Sequence, residues 1–311
     1  MKPTDTRAAL VAEAGRVIAR GSRSFALASR LFDRTTRERA WLLYAWCRHC
    51  DDACDNQLDG WEKAAAWPRT PALDRIGAAS RAALRGKRTA APPFEGLRIV
   101  ASETGLPARL VENHLAGFGM DEAGWRPTTE EELLLYCYRV AGAVGCMMAI
   151  VMGVSADDDP LLDHAADLGI AFQLANIARD LGDDHRAGRC YLPKDWLDAA
   201  GLDRDSIDRP ENRARLAGLA RRLVALASRY EASGRAGAIR LPFRSRWAVL
   251  SAAGIYGAIG RLVVRRGPAA WGSRAIVRKR RKLFWMTHAL SEALLPSRAN
   301  PGRDGLWTRP R

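Results

Sequence analysis

Two short acidic runs, Asp51-Asp52-Ala53-Cys54-Asp55 and Asp180-Leu181-Gly182-Asp183-Asp184, each place two aspartates four residues apart. On a helix, at about 100° per residue, Tyr44, Arg48, Asp51 and Asp55 share an arc of roughly 60°, and Gln173, Asn176, Asp180 and Asp184 one of roughly 80°. Each arc is a single polar stripe. A solvated helix face is the plainer reading of either run alone. Two considerations count against it. Like charges four apart destabilise a helix unless a cation sits between them. A solvated face would also tolerate any polar residue, whereas here amides and acids line up beside Ile170, Phe172 and Leu174. Two such stripes facing each other would hold hard divalent cations through carboxylate oxygens and leave room for phosphate oxygens, the usual mode of Mg²⁺ binding.

Other groups could assist that chemistry. Ser22-Arg23-Ser24-Phe25 puts two hydroxyls and a guanidinium at a helix start, suited to phosphate oxygens or simply to capping. In Arg186-Ala187-Gly188-Arg189-Cys190-Tyr191-Leu192-Pro193, Gly188 allows a turn that brings Arg189 back over the second acidic run. Tyr136 to Gly153 mixes aromatic and small residues, which means close helix packing or a wall that leaves space for a long apolar ligand; packing is the simpler expectation. Cys47, His49, Cys50 and Cys54 are zinc-ligating types. No second cysteine pair accompanies them, and Cys137, Cys146 and Cys190 stand alone, so packing is again expected.

The elements that must carry these groups read as helices throughout, with no convincing alternating strand. Thr35-Thr36-Arg37-Glu38 predicts a capping box opening a helix to about Leu58, and Thr129-Glu130-Glu131-Glu132 another running to about Met152. Asp159-Pro160 predicts the start of a helix from Leu161 to about Asp184. No linker divides the chain, so one all-α domain of ten or more helices is expected over residues 1–295, followed by a loose tail over 296–311 rich in Pro and Gly.

At 311 residues and 48% hydrophobic, the chain can bury a substantial core, which excludes disorder. Its net charge of +14 is unevenly placed. Residues 212–311 hold 22 basic against 3 acidic side chains, and residues 1–211 hold 27 against 32. The basic back admits diphosphates, polyanions and anionic lipid as partners. No secretory signal is legible, and the longest uncharged stretch, Val140–Ala156, is short for a membrane span. Six cysteines without scaffold density fit a reducing cytoplasm.

Tyr44-Ala45-Trp46-Cys47-Arg48-His49-Cys50-Asp51-Asp52, Tyr136 to Gly142 and Gln173 through Pro193 together resemble the squalene/phytoene synthase family, over about Ser22 to Lys282, most of all its bacterial phytoene-forming members. The resemblance implies an isoprenoid synthase fold with helices around a central cavity. It implies that Asp51, Asp55, Asp180 and Asp184, with Asn176, hold two or three Mg²⁺ (or Mn²⁺) ions. Ser22, Arg23, Ser24, Arg48, Arg179 and Arg189 would hold diphosphates, and Tyr44, Tyr136, Gln173 and Asn176 would line the reacting centre. Phe25, Val140 and Val144 would face prenyl chains, with Tyr256 and Arg274 as further substrate contacts. The implied reaction joins two geranylgeranyl diphosphates head to head through a cyclopropyl diphosphate to phytoene, without NADPH. The product would pass to a downstream carotenoid desaturase.

Three other readings stay open on sequence alone. A squalene or presqualene diphosphate synthase acting on farnesyl diphosphate shares the same motifs. A terpene cyclase uses two acidic runs but one substrate molecule, which leaves Arg48 and Arg189 unexplained. A nucleic-acid-binding role for the basic back leaves both aspartate stripes unexplained, so no nucleic-acid partner is expected. The expected location is the cytoplasm. Peripheral contact with an anionic membrane is expected through Arg278, Lys279, Arg280, Arg281 and Lys282 beside Leu283, Phe284 and Trp285.

Overall fold

The computed structural model describes residues 6–54, 72–295 and 302–311, and among them every regular element is helical. The chain runs through α1 (Arg7–Gly21), α2 (Arg23–Ser29) and α3 (Arg34–Cys54), then α4 (Ala72–Leu84), α5 (Pro92–Thr104) and α6 (Ala108–Glu122). Next come α7 (Glu130–Cys137), a π-helical segment (Tyr138–Gly142) and α8 (Ala143–Val151), which continue one another. The second half holds α9 (Asp159–Arg186), α10 (Lys194–Ala199), α11 (Arg213–Ala238), α12 (Phe243–Arg266) and α13 (Lys279–Leu294).

The caps show where sequence reading and structure part by a residue or two. Asp33, not Thr35, opens α3: its carboxylate accepts from Thr36 N at 3.0 Å, and Glu38 turns to Arg34 and Arg7 instead. Asp158, not Asp159, caps α9 by accepting from Leu161 N at 3.2 Å. In each case the residue whose side chain can reach the free N–H of the first turn takes the cap. Thr129 does cap α7, accepting from Glu132 N at 3.3 Å. The expected continuous helix to Met152 is interrupted by the π segment, a local widening common at functional sites.

α9 forms the axis of the molecule. Its 28 residues span about 42 Å, and it packs along α11, α12, α8 and the π segment. Leu162, Ala166, Gly169, Ile170, Leu174, Ile177, Ala178 and Leu181 are all buried, so apolar residues occupy most of its circumference and the polar positions are exceptions. Its contact with the α7–α8 run is backbone on backbone. A Cβ on Gly169 would lie 2.4 Å from Ala141 O, and one on Gly145 would lie 2.3 Å from Ala165 O.

One expectation needs correction. Residues 302–311 are not loose: Arg303, Arg309 and Arg311 pair with Asp159, Asp163 and Asp167 on α9, and Arg309 is 2% exposed. The acids of α9 give the tail a specific anchorage that its Pro and Gly content conceals. Two stretches, Glu130–Val151 and Phe243–Ala269, are long and apolar enough to cross a membrane by composition. Both lie substantially inside the protein, as core helices.

Candidate active site

A cavity of about 860 Å³ opens between α3 and α9, within the range of small-molecule sites. α3 presents Tyr44, Arg48 and Asp51 to it; α9 presents Gln173, Asn176, Arg179, Asp180 and Asp184. The two polar stripes therefore face one space. Ser22, Ser24 and Phe25 reach it from the start of α2, Tyr136 from α7, Val140 from the π segment and Val144 from α8. Arg189, Tyr256 and Arg274 complete the set. Asp55 and the side chain of Arg23 lie outside the described residues.

One end of the cavity is charged. Arg48 donates to Asp51 Oδ2 at 3.0 Å and, from Nε, to Asp52 Oδ2 at 3.0 Å. Arg179 Nε donates to Asp180 Oδ1 at 2.8 Å, and Arg274 Nη2 lies 3.6 Å from Asp180 Oδ2. The Arg189 N–H donates to Asp184 O at 2.8 Å across a turn in which Gly188 takes φ +74°, so the turn does return Arg189 to α9. Burial and the neighbouring Asp180 push the Asp184 carboxyl up to about 7. Asn176 Oδ1 is buried without a hydrogen-bond partner. An unpartnered amide oxygen beside two carboxylates, one of which resists ionisation, is an all-oxygen donor set that a hard divalent cation fits. Zinc is a poor match for the cysteine run: burial pushes the Cys47 thiol up to about 12, and His49 is occupied edge-on against Phe94 at 5.1 Å.

The middle of the cavity is phenolic. Burial pushes the Tyr44 hydroxyl up to about 12, and its ring lies 5.5 Å from Phe25. A Cβ on Gly21 would sit 2.5 Å from Tyr44 Oη, so the end of α1 must be glycine for that phenol to keep its place. Tyr136 stacks between Trp125 and Tyr191, at 5.5 and 4.8 Å. Tyr256 stacks on Phe172 at 4.2 Å.

Sequence reading missed Asp121. Its carboxylate accepts from Tyr136 Oη at 3.0 Å and from Tyr191 Oη at 2.8 Å. Burial next to that negative charge raises the Tyr136 pKa, so Tyr136 stays a protonated donor. Asp121 has no acidic neighbour at helical spacing within the cavity, and nothing in its local sequence marks it; only the approach of α6 to α7 brings it in. Asp52, which is not part of the stripe, is also employed, since it holds Arg48.

A profile of the squalene/phytoene synthase family matches residues 18–283. The chain belongs to the squalene/phytoene synthase family. It is 44% identical over 305 residues to a phytoene synthase of Pseudescherichia vulneris, covering 97% of this chain and 98% of that protein. It is 43% identical to a 15-cis-phytoene synthase of Pantoea ananas, over the same shares of each. A crystal structure of a dehydrosqualene synthase superposes with a TM-score of 0.82 over 93% of this chain and 98% of that one, at 24% identity. The fold is thus the isoprenoid synthase fold. Prenyl diphosphate-condensing enzymes of this family generally use a divalent metal.

Proposed function

We propose that this chain is a prenyltransferase of the 15-cis-phytoene synthase type, joining two geranylgeranyl diphosphates head to head, the first committed step of carotenoid biosynthesis. The observation that carries this is a cavity in which Tyr44, Arg48 and Asp51 of α3 and Gln173, Asn176, Asp180 and Asp184 of α9 face one space, with arginines at one end and apolar walls at the other. Similarity to phytoene synthases over 97% of the chain favours C20 substrates over the C15 substrates of a squalene-type enzyme.

Each residue then has work that its position allows. Arg48, Arg179, Arg189 and Arg274, with Ser22, Arg23 and Ser24, hold the diphosphate oxygens and offset the charge that grows as the first diphosphate leaves. Asp51, Asp55, Asn176, Asp180 and Asp184 are the residues that would hold Mg²⁺, two or three ions with Mn²⁺ as a substitute, and the metal would supply further neutralisation of the leaving group. Phe25, Val140 and Val144 lie along the prenyl chains and exclude water, without which the allylic cation would be quenched. The second substrate's double bond attacks C1 of that cation, and loss of one proton leaves a cyclopropyl diphosphate. A second ionisation, ring rearrangement and loss of a second proton give the hydrocarbon, with two diphosphates and two protons released in all. Tyr44, Tyr136, Gln173 and Asn176 surround the reacting carbons with fixed dipoles, and Asp121 keeps Tyr136 oriented.

An uncharged product must leave into lipid. We place the protein in the cytoplasm, with α13 against the inner membrane surface and a desaturase consuming the hydrocarbon there. Leu283 is 62% and Phe284 50% exposed beside the basic run, which supports that placement. Trp285 turns inward instead, onto Gly254 of α12.

The test is direct. Pure protein is incubated with geranylgeranyl or farnesyl diphosphate and Mg²⁺, with and without NADPH, and extracted hydrocarbon is identified. Phytoene from the C20 substrate, formed equally without NADPH, is expected. A cyclopropyl diphosphate that accumulates until NADPH is added would establish the squalene-type reaction instead.

A further inference from the structure

The end of α9 remote from Asp180 carries a second acidic row, Asp159, Asp163 and Asp167, again at four-residue spacing. Here the charge is neutralised from within the chain. Asp167 is completely buried, and Arg303 of the carboxyl-terminal tail grips it with two parallel bonds, Nε to Oδ2 at 2.6 Å and Nη2 to Oδ1 at 2.9 Å. Arg303 Nη1 also reaches Asp163 Oδ2 at 3.3 Å, and the tail is pinned again where Trp307 N donates to Tyr230 Oη at 3.1 Å. A bidentate guanidinium–carboxylate pair in a buried setting fixes geometry as well as charge.

Asp167 passes that constraint inward. It accepts the hydroxyl proton of Ser233 on α11. A hydroxyl has one proton to give, so the Ser233 oxygen must act as acceptor toward His164 Nδ1, 2.8 Å away. This selects the tautomer protonated on Nδ1 and fixes the plane of the imidazole. The other side of the side chain is fixed by steric contact: a Cβ on Gly237 would fall 2.3 Å from His164 Cβ. His164 lines the apolar end of the cavity with Met152, Leu161, Leu168 and Leu241. It precedes Asp180 by sixteen residues of one helix, or about 24 Å.

We propose that His164 is a specificity-determining residue for prenyl chain length, a polar stop at the far end of the cavity held in place by Ser233, Asp167 and Arg303. The inference rests on the prenyl diphosphate reading above. With the diphosphate at the charged end, a prenyl chain extends along α9 toward this ring, and a chain one isoprene unit too long must displace it. Because the ring is braced through three residues to the tail, it does not swing aside as a free surface histidine would. Chain length is therefore set in part by a segment that never touches substrate.

The experiment compares kcat/KM for C15, C20 and C25 diphosphates in His164→Ala, Ser233→Ala, Arg303→Ala and the parent, with Tm recorded for each. In His164→Ala the C25-to-C20 ratio is expected to rise by about 10-fold or more, the lower end of what one buried apolar contact contributes to discrimination. Ser233→Ala and Arg303→Ala should move that ratio in the same direction by a smaller factor. A purely structural role would lower Tm and activity on every substrate together and leave the ratio where it was. An unchanged ratio in His164→Ala refutes the stop, and an unchanged ratio in both Ser233→Ala and Arg303→Ala refutes the brace. If Arg303→Ala does not fold, Ser233→Ala cuts the same chain while keeping the tail's ion pairs. No hydrocarbon or cyclopropyl diphosphate from any of the three substrates in the parent would instead defeat the functional reading itself.

Discussion

The carboxylates of the two stripes differ in what they touch, and their substitutions should differ accordingly. Asp180 and Asp184 face the cavity with Asn176, and Asp51 faces them from α3. On the proposed function, removing Asp51, Asp180 or Asp184 takes an oxygen donor from the charged end and leaves diphosphate charge uncompensated, and Asp55 is proposed to act with them. Asp51→Ala, Asp55→Ala, Asp180→Ala and Asp184→Ala should each lower turnover by about 10²-fold or more with Tm little changed. Asp183 pairs with the exposed Arg186, away from the cavity, so Asp183→Ala should stay within a few-fold of the parent. Asp52→Ala should fall between, because Asp52 holds Arg48. Near-normal turnover of Asp180→Ala in EDTA would contradict a metal site. Asp121→Asn keeps the shape but weakens the acceptor that orients Tyr136 and Tyr191. It should reduce kcat by about 10-fold and leave KM almost unchanged, as expected for an interaction that matters in the transition state.

At the scale of elements, helix contacts decide which glycines can change. α9 meets the α7–α8 run through Gly145 and Gly169, where an added methyl would collide with backbone oxygen that cannot move away. Gly169→Ala should cost about 2 kcal/mol or more, measured by chemical denaturation, because overpacking at a backbone contact forces the helices apart. Gly21→Ala should be mild in stability and harsh in activity, since the new methyl meets Tyr44 Oη and not backbone. Gly218 in α11 is the control. Its nearest neighbour is the end of the Arg221 side chain at 4.0 Å, so Gly218→Ala should stabilise by about 0.5–1 kcal/mol through lost unfolded-state freedom.

Across the whole molecule, the division into an acid-leaning front and a basic back resolves into two uses of charge. Part of the basic excess closes the fold: Arg303, Arg309 and Arg311 on α9, Arg222 on Glu130, and Arg240 on Asp158. Another part lies on α13 next to exposed Leu283 and Phe284, with the Arg281 guanidinium 5.5 Å over the Phe284 ring. The protein should co-sediment with anionic liposomes at low salt, and far less with neutral liposomes or at about 0.5 M salt, where the screening length is only a few ångströms. Replacing Arg278, Arg280 and Arg281 together by Gln should weaken that binding and spare turnover in detergent. Equal sedimentation of the triple variant and the parent would rule out α13 as the membrane face.

Local chemistry made much of this molecule legible before any fold was known. Helical periodicity and the absence of alternating strands determined the all-α class, and four-residue spacing placed Asp180 and Asp184 with Gln173 and Asn176 on one stripe. Both follow because about 3.6 residues per turn is a property of the chain itself. The same spacing also describes Asp159, Asp163 and Asp167, and helical spacing alone does not distinguish the two rows. One faces an open cavity; the other is covered by arginines from at least 136 residues away. Which row is left facing the cavity depends on where Arg303 and Arg309 come to rest, and that is a tertiary fact. The same holds for Asp121, whose partners Tyr136 and Tyr191 lie 15 and 70 residues away, and for the tail, whose Pro and Gly content reads as loose until its arginines meet buried acids. Spacing along a helix is fixed by local geometry, whereas the neutralisation of a buried charge is decided by whichever opposite charge the packed fold carries to it.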